Sequence, residues 1–195
     1  MKKVVLLYGL FAKEIATLPE CNPNDERNWM GWIKKQLTEL GYYVVCPIIP
    51  KVWEAPLYSE WKKVLDEAVI DENTVLVGLS AGGAVCVKYI TEEKKVISKL
   101  ILIAPSYWSK REDGFPITDD FVNFKIADDT KKQIKNGTII FVSDDDPLAG
   151  TQEAVKIYER ELDATVVRFV DRGHFSFHIR TFQELLEEIL KPHEE

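Results

Sequence analysis

Residues 74–83, Thr-Val-Leu-Val-Gly-Leu-Ser-Ala-Gly-Gly, constrain this chain more than any other stretch. A short run of β-branched and apolar residues leads straight into Gly78-Leu79-Ser80-Ala81-Gly82, and an apolar helical pattern starts at once over 81–90. Gly-x-Ser-x-Gly between a buried strand and a helix puts the serine on a sharp, strained turn with its hydroxyl lifted above the sheet edge. Side chains two residues before and after that serine would collide, so both positions must be glycine. The plainer reading is a tight glycine turn with an incidental serine. The strand before it and the helix after it favour a nucleophile.

The rest of the sequence alternates in the same way. Continuous apolar runs at 4–8, 42–46, 74–77, 100–103, 138–142 and 165–170 read as strands, several of them buried on both faces. Helical patterns lie near 29–40, 61–69, 81–90, 130–135, 154–162 and 179–190, with Ser59 as an N-cap and Gly41 as a C-terminal stop. This rhythm predicts an α/β fold with a mostly parallel sheet and helices on both faces, a three-layer sandwich. The 195 residues suit one domain over 1–195. A domain near this size buries about 70% of the surface its unfolded chain exposes, so no metal or disulfide staple is needed. Two stretches break the rhythm. Residues 10–27 form a long loop rich in Pro, Asn and Asp, and loops of that length are usually functional. Residues 105–128, with Trp108, Phe115, Phe121 and Phe124, read as a lid over a pocket or a long surface crossover.

Composition narrows the function classes. The formal net charge of -7 disfavours binding to a phosphate backbone, so no nucleic-acid partner is expected. Cys21, Cys46 and Cys86 are too few and too scattered for a disulfide framework or a zinc cluster, which suits a reducing, cytoplasmic location. Lys2 and Lys3 before the apolar residues 4–12 resemble a secretion signal superficially. Lys13 and Glu14 follow at once without a small-residue cleavage site, so a buried first strand is expected. No stretch approaches the roughly 20 apolar residues of a membrane span. The first strand ends in a lone Gly9 rather than a phosphate-cradling glycine loop, and no cofactor is expected.

A serine hydroxyl needs a base, and the chain has three histidines. His193 follows Pro192 near the end and reads as a solvated tail residue. His174 follows Gly173 just past the last strand, at the sheet edge where sites form in open α/β sheets. His178 lies four residues on, in or near the following helix. The base needs an acid to fix its tautomer. Asp144, Asp145 and Asp146 compete at the end of the 138–142 strand, and Pro147 favours Asp146 only weakly over Asp145. The order Ser80, Asp146, His174 is that of the α/β-hydrolase fold.

Four segments together resemble the small α/β-hydrolase family of retinoblastoma-binding protein nine and the YdeN-like serine hydrolases. They are Trp29-Met30-Gly31-Trp32, Gly78-Leu79-Ser80-Ala81-Gly82, Ser143-Asp144-Asp145-Asp146-Pro147 and Gly173-His174-Phe175. The resemblance covers nearly the whole chain and implies that Asp146, the aspartate before proline, is the catalytic acid. It also implies that the loop after the first strand supplies half of an oxyanion hole. The family usually opens that loop with Pro-Gly, whereas this chain reads Tyr8-Gly9-Leu10-Phe11. The backbone N–H of Leu10 is the candidate for that half, and the N–H of Ala81 for the other. The implied activity is acyl transfer from a small ester or amide to water through an acyl-enzyme. Trp29, Tyr107, Trp108, Phe115, Phe121, Phe124, Phe175 and Phe177 either line a substrate pocket or simply pack. Two other readings stand beside this one. The first is a non-catalytic binding module that keeps the fold. The second is a metal-assisted hydrolase using Asp171, His174 and His178, which chelators would inhibit.

Overall fold

The apolar runs of the sequence become six parallel strands ordered β2-β1-β3-β4-β5-β6. They are β1 (Lys3–Leu7), β2 (Tyr43–Val45), β3 (Thr74–Leu79), β4 (Lys99–Ile103), β5 (Thr138–Ser143) and β6 (Thr165–Phe169). The computed structural model describes residues 2–10, 17–49, 57–107 and 124–192. Every residue of β3 and β4 is buried, so both faces of the sheet centre are covered, as expected for parallel strands with near-continuous apolar sequence. The edge strands β2 and β6 carry only exposed and half-buried residues. The pairs Leu7 with Gly78, Leu79 with Ile103 and Ser143 with Phe169 bring the strands' carboxyl ends to one rim. After β1 the chain steps outward to β2, then returns across β1 to β3. That reversal opens a crevice at the rim between β1 and β3, where α/β sheets place their ligands.

The helices described are α1 (Trp29–Glu39), α2 (Tyr58–Glu67), α3 (Ala81–Glu93), α4 (Ala149–Leu162) and α5 (Gln183–Leu190). α1 packs against α5, and α2 against α3. Trp29, Ile33 and Leu37 form the buried stripe of α1. The Asn28 side chain starts that helix by accepting from the N–H groups of Met30 and Gly31. Gly41, at φ 83°, ends it: the Tyr42 N–H donates to the Leu37 carbonyl and the Gly41 N–H to that of Thr38. None of the helices described is long and apolar enough to cross a membrane.

Several element boundaries differ from the sequence reading. Ser59 is not an N-cap, because α2 already starts at Tyr58 and its N-cap position holds Leu57, whose side chain makes no capping bond. The 130–135 pattern yields only a 3-10 turn, Thr130–Gln133. The last helix begins at Gln183 rather than near 179, since the preceding loop turns Phe182 into the core. Val69 and Leu40, read as apolar helix positions, are exposed beyond the helix ends. Trp108, Phe115, Phe121 and most of the 105–128 segment lie outside the described residues, as does His193.

One buried interaction has no counterpart in the sequence reading. Lys99, the first residue of β4, sits 2.5 Å from Glu188 of α5, with side chains 7% and 6% exposed. Glu188 also meets Lys191. Burial disfavours the Glu188 carboxylate, yet the two ammonium groups hold its pKa below the ordinary value. Removing one member of a buried ion pair strands the other charge and typically costs about 3–5 kcal/mol. Glu188→Gln is therefore expected to lower the thermal midpoint by roughly 6–20 °C, at about 2–4 °C per kcal/mol for this size. An unchanged melting curve would contradict the assignment of α5 to this pair.

Candidate active site

The rim crevice is organised by the turn at Ser80. Ser80 has φ 54° and ψ -120°, a region that costs a non-glycine residue about 1–3 kcal/mol and persists only where its surroundings enforce it. Its N–H donates to the Ile103 carbonyl, while its own carbonyl accepts from the N–H groups of Gly83 and Ser106. A β-carbon on Gly78 would stand 2.6 Å from the Gly83 backbone, and one on Gly82 2.6 Å from the Tyr8 carbonyl oxygen. Both glycines flanking the serine are thus required by close backbone approach. Gly9 belongs with them: a β-carbon there would lie 2.8 Å from the Ser80 β-carbon. From sequence, Gly9 marks the end of the first strand and opens the Leu10 loop; its contact with Ser80 comes from the fold.

The Ser80 hydroxyl lies 3.3 Å from the hydroxyl of Ser106, on the loop after β4. Nothing in the sequence singles out Ser106; only the fold brings it here. Leu10 and Ala81 both line the same cavity as Ser80. Neither backbone N–H has a hydrogen-bond acceptor among the described residues.

Three carboxylates compete in the sequence, and the structure separates their environments. Asp146 has a fully buried side chain, with Oδ2 2.7 Å from His174 Nδ1 and Oδ1 accepting from the Leu148 N–H. Asp144 is half exposed and pairs with Arg168 at 3.0 Å. Asp145 accepts from the Ser143 hydroxyl and from the Gly173 N–H at 3.0 Å. The Ser143 hydroxyl bond, helped by that N–H, holds the Asp145 carboxyl below the usual carboxylate range. Ser143 Oγ in turn accepts from the Arg172 N–H. Ser143 and Asp145 therefore tie the Asp146 loop to the His174 loop.

His174 stands between two residues of positive φ, Gly173 at 52° and Phe175 at 50°. Aromatic packing holds the Phe175 conformation. Its ring is fully buried, stacked on Phe182 at 5.2 Å and edge-on to Phe169 at 5.6 Å. The Trp29 indole N–H donates to the Phe175 carbonyl at 2.8 Å, and the Trp29 backbone N–H donates to Ile179. The Asp25 carbonyl rests on Gly31, where a β-carbon would stand 2.2 Å away. The Trp-x-Gly-Trp segment thus buttresses the histidine loop from α1.

The cavity encloses about 710 Å³ and is lined by Ser80, Ala81, Leu10, His174, Ser106 and Phe177, among others. Of the candidate pocket aromatics, only Phe177 lines it among the described residues. Trp29 and Phe175 are core, and Tyr107 packs edge-on against Phe124 and Tyr158. His178 reaches the cavity wall and lies 2.5 Å from Ser176 Oγ. The described residues include no cluster of three His, Cys, Asp or Glu side chains able to hold a metal ion, so Asp171, His174 and His178 do not converge. Cys86 is buried within α3, and burial pushes its thiol far from ionisation.

The serine hydrolase family model matches residues 16–186. The chain is 28% identical over 191 residues to the serine hydrolase RBBP9 of Rattus norvegicus, covering 94% of this chain and 95% of that one. Among solved structures, the ydeN gene product of B. subtilis superposes with TM-score 0.77 at 18% identity, over 97% of both chains. A bromoperoxidase from Bacillus anthracis superposes with TM-score 0.66 at 16% identity, over 98% of this chain and 92% of that one. At these identities the structures establish the fold, which is that of the α/β-hydrolases.

Because a methyl group at position 9 would press on Ser80, Gly9→Ala is expected to slow reaction with a fluorophosphonate about 10²-fold, the scale of a ~1 Å misplacement. Gly150 faces open space, and Gly150→Ala serves as the control with an unchanged rate. Equal rates for all three proteins would show that Gly9 does not set the serine's position.

Proposed function

We propose that this chain, which belongs to the serine hydrolase family, transfers the acyl group of a small ester or amide to water through Ser80. One observation carries the reading. A serine forced onto a positive-φ turn shares a cavity with a histidine whose Nδ1 bonds a fully buried carboxylate. That carboxylate keeps the Nδ1 proton in place and leaves Nε2 with its lone pair for the serine.

In the proposed sequence, substrate entry breaks the Ser80–Ser106 contact and the Ser80 hydroxyl turns to His174. Oγ attacks the carbonyl carbon as Nε2 takes its proton. The carbonyl oxygen gains the charge and accepts from the Leu10 and Ala81 N–H groups, which are unpaired among the described residues. His174 returns the proton to the departing alcohol or amine, leaving an acyl-serine. Water then attacks that ester with His174 again as base, releasing the acid and restoring Ser80. The Asp146 carboxylate balances the imidazolium. The three free, buried cysteines fit a reducing compartment, and we place the protein in the cytoplasm.

Ser80→Ala is expected to lower kcat on a 4-nitrophenyl ester by about 10⁴-fold or more. Asp146→Asn should lower it by about 10⁴-fold, because the amide favours the wrong histidine tautomer. Mass mapping of a fluorophosphonate adduct should find it on Ser80. Full turnover by Ser80→Ala, or an adduct on another residue, would end this reading.

A further inference from the structure

Among the described residues, two arginines line the cavity beside Ser80, and they differ in one respect. Arg27 is committed: its Nε lies 2.9 Å from Asp25 Oδ1 and its Nη2 2.7 Å from Oδ2, a two-point carboxylate pair. Glu20, also on the cavity wall, adds its field to Arg27. Arg180 lines the same cavity and has no hydrogen-bond or ion-pair partner among the described residues. The other described arginines outside the cavity, Arg160, Arg168 and Arg172, all pair with carboxylates. In a chain with 32 Asp and Glu against 25 Lys and Arg, a cavity-wall arginine without a partner among the described residues stands out. Its backbone is held firmly, since the preceding Ile179 donates to Ser176 and accepts from Trp29.

We propose that Arg180 is the specificity residue for a substrate carboxylate, and that the preferred substrates are half-esters or half-amides of short dicarboxylic acids. The planar guanidinium presents paired N–H donors that match a carboxylate at two points. The free carboxylate docks on Arg180 while the ester carbonyl sits at Ser80. Arg180 takes no part in proton transfer. The proposal rests on the acyl-transfer reading of Ser80.

The test compares two esters that differ only at the acyl terminus: 4-nitrophenyl pentanoate and the mono-4-nitrophenyl ester of glutaric acid. Arg180 is exposed, so the wild-type protein is expected to favour the glutarate by about two- to fivefold in kcat/KM at low ionic strength, the scale of a solvent-exposed ion pair. Added salt should shrink that preference. Arg180→Gln should abolish it while pentanoate turnover stays within about twofold, as for an exposed side chain outside the reacting atoms. Arg180→Lys should keep the sign of the preference and lose part of its size. Turnover of both esters without discrimination, or a preference that survives Arg180→Gln, overturns this proposal alone. Labelling of Ser80 with neither ester hydrolysed also overturns it. Absence of both labelling and hydrolysis overturns the acyl-transfer reading and this proposal with it.

Discussion

Ser80 holds a backbone conformation that an L-residue avoids, and the sheet rim is shaped so that no alternative is open to it. β3 and β4 fix its N–H through Ile103, and the start of α3 and the loop after β4 take its carbonyl. Backbone atoms crowd the turn from three sides, at Gly9, Gly78 and Gly82. The strain, of order 1–3 kcal/mol, is small beside the burial of β3 and β4. A sheet centre buried on both faces can therefore hold the turn rigid. The same geometry places the Ala81 N–H, unpaired among the described residues, beside the serine at the start of α3, where an oxyanion would gain from it and from the helix dipole.

A second constraint joins the two loops that carry Asp146 and His174. The loops follow adjacent strands, β5 and β6, and are stitched by Ser143 and Asp145 to the backbone of 172–173. Beneath them, Phe169, Phe175 and Phe182 pack as a cluster that Trp29 locks to α1. The histidine loop contains two positive-φ residues in three, and aromatic burial offsets that cost. The geometry of the His174–Asp146 pair at the rim thus depends on packing one layer below it.

The fold was readable because parallel strands buried on both faces leave continuous apolar runs, and helices leave a 3.6-residue stripe. Trp29, Ile33 and Leu37 with Gly41 show both the stripe and its stop. What stayed hidden needs contacts between distant parts of the chain. Lys99 looks like a solvent-facing strand end until α5 brings Glu188 to it. Ser106 and Gly9 carry no motif of their own; the strand order alone sets them beside Ser80. Among the three aspartates, spacing could not separate Asp145 from Asp146, because both stand within reach of the histidine loop. Their surroundings differ only in three dimensions: Asp145 meets backbone N–H groups, and Asp146 meets the ring. Ser59 does not cap α2, because the helix begins at Tyr58, ahead of it, without any side-chain cap.

In the proposed site, one rim crevice assembles Ser80, the His174–Asp146 pair and the N–H groups of Leu10 and Ala81 around a single reacting carbon. A crystal structure of the protein carrying a covalent phosphonate tests it most directly. The expected structure has a phosphorus–oxygen bond to Ser80, the phosphoryl oxygen about 2.7–3.1 Å from both N–H groups and the His174–Asp146 hydrogen bond intact. A phosphoryl oxygen turned away from Leu10 and Ala81, or a His174 ring that has left Asp146, would contradict it.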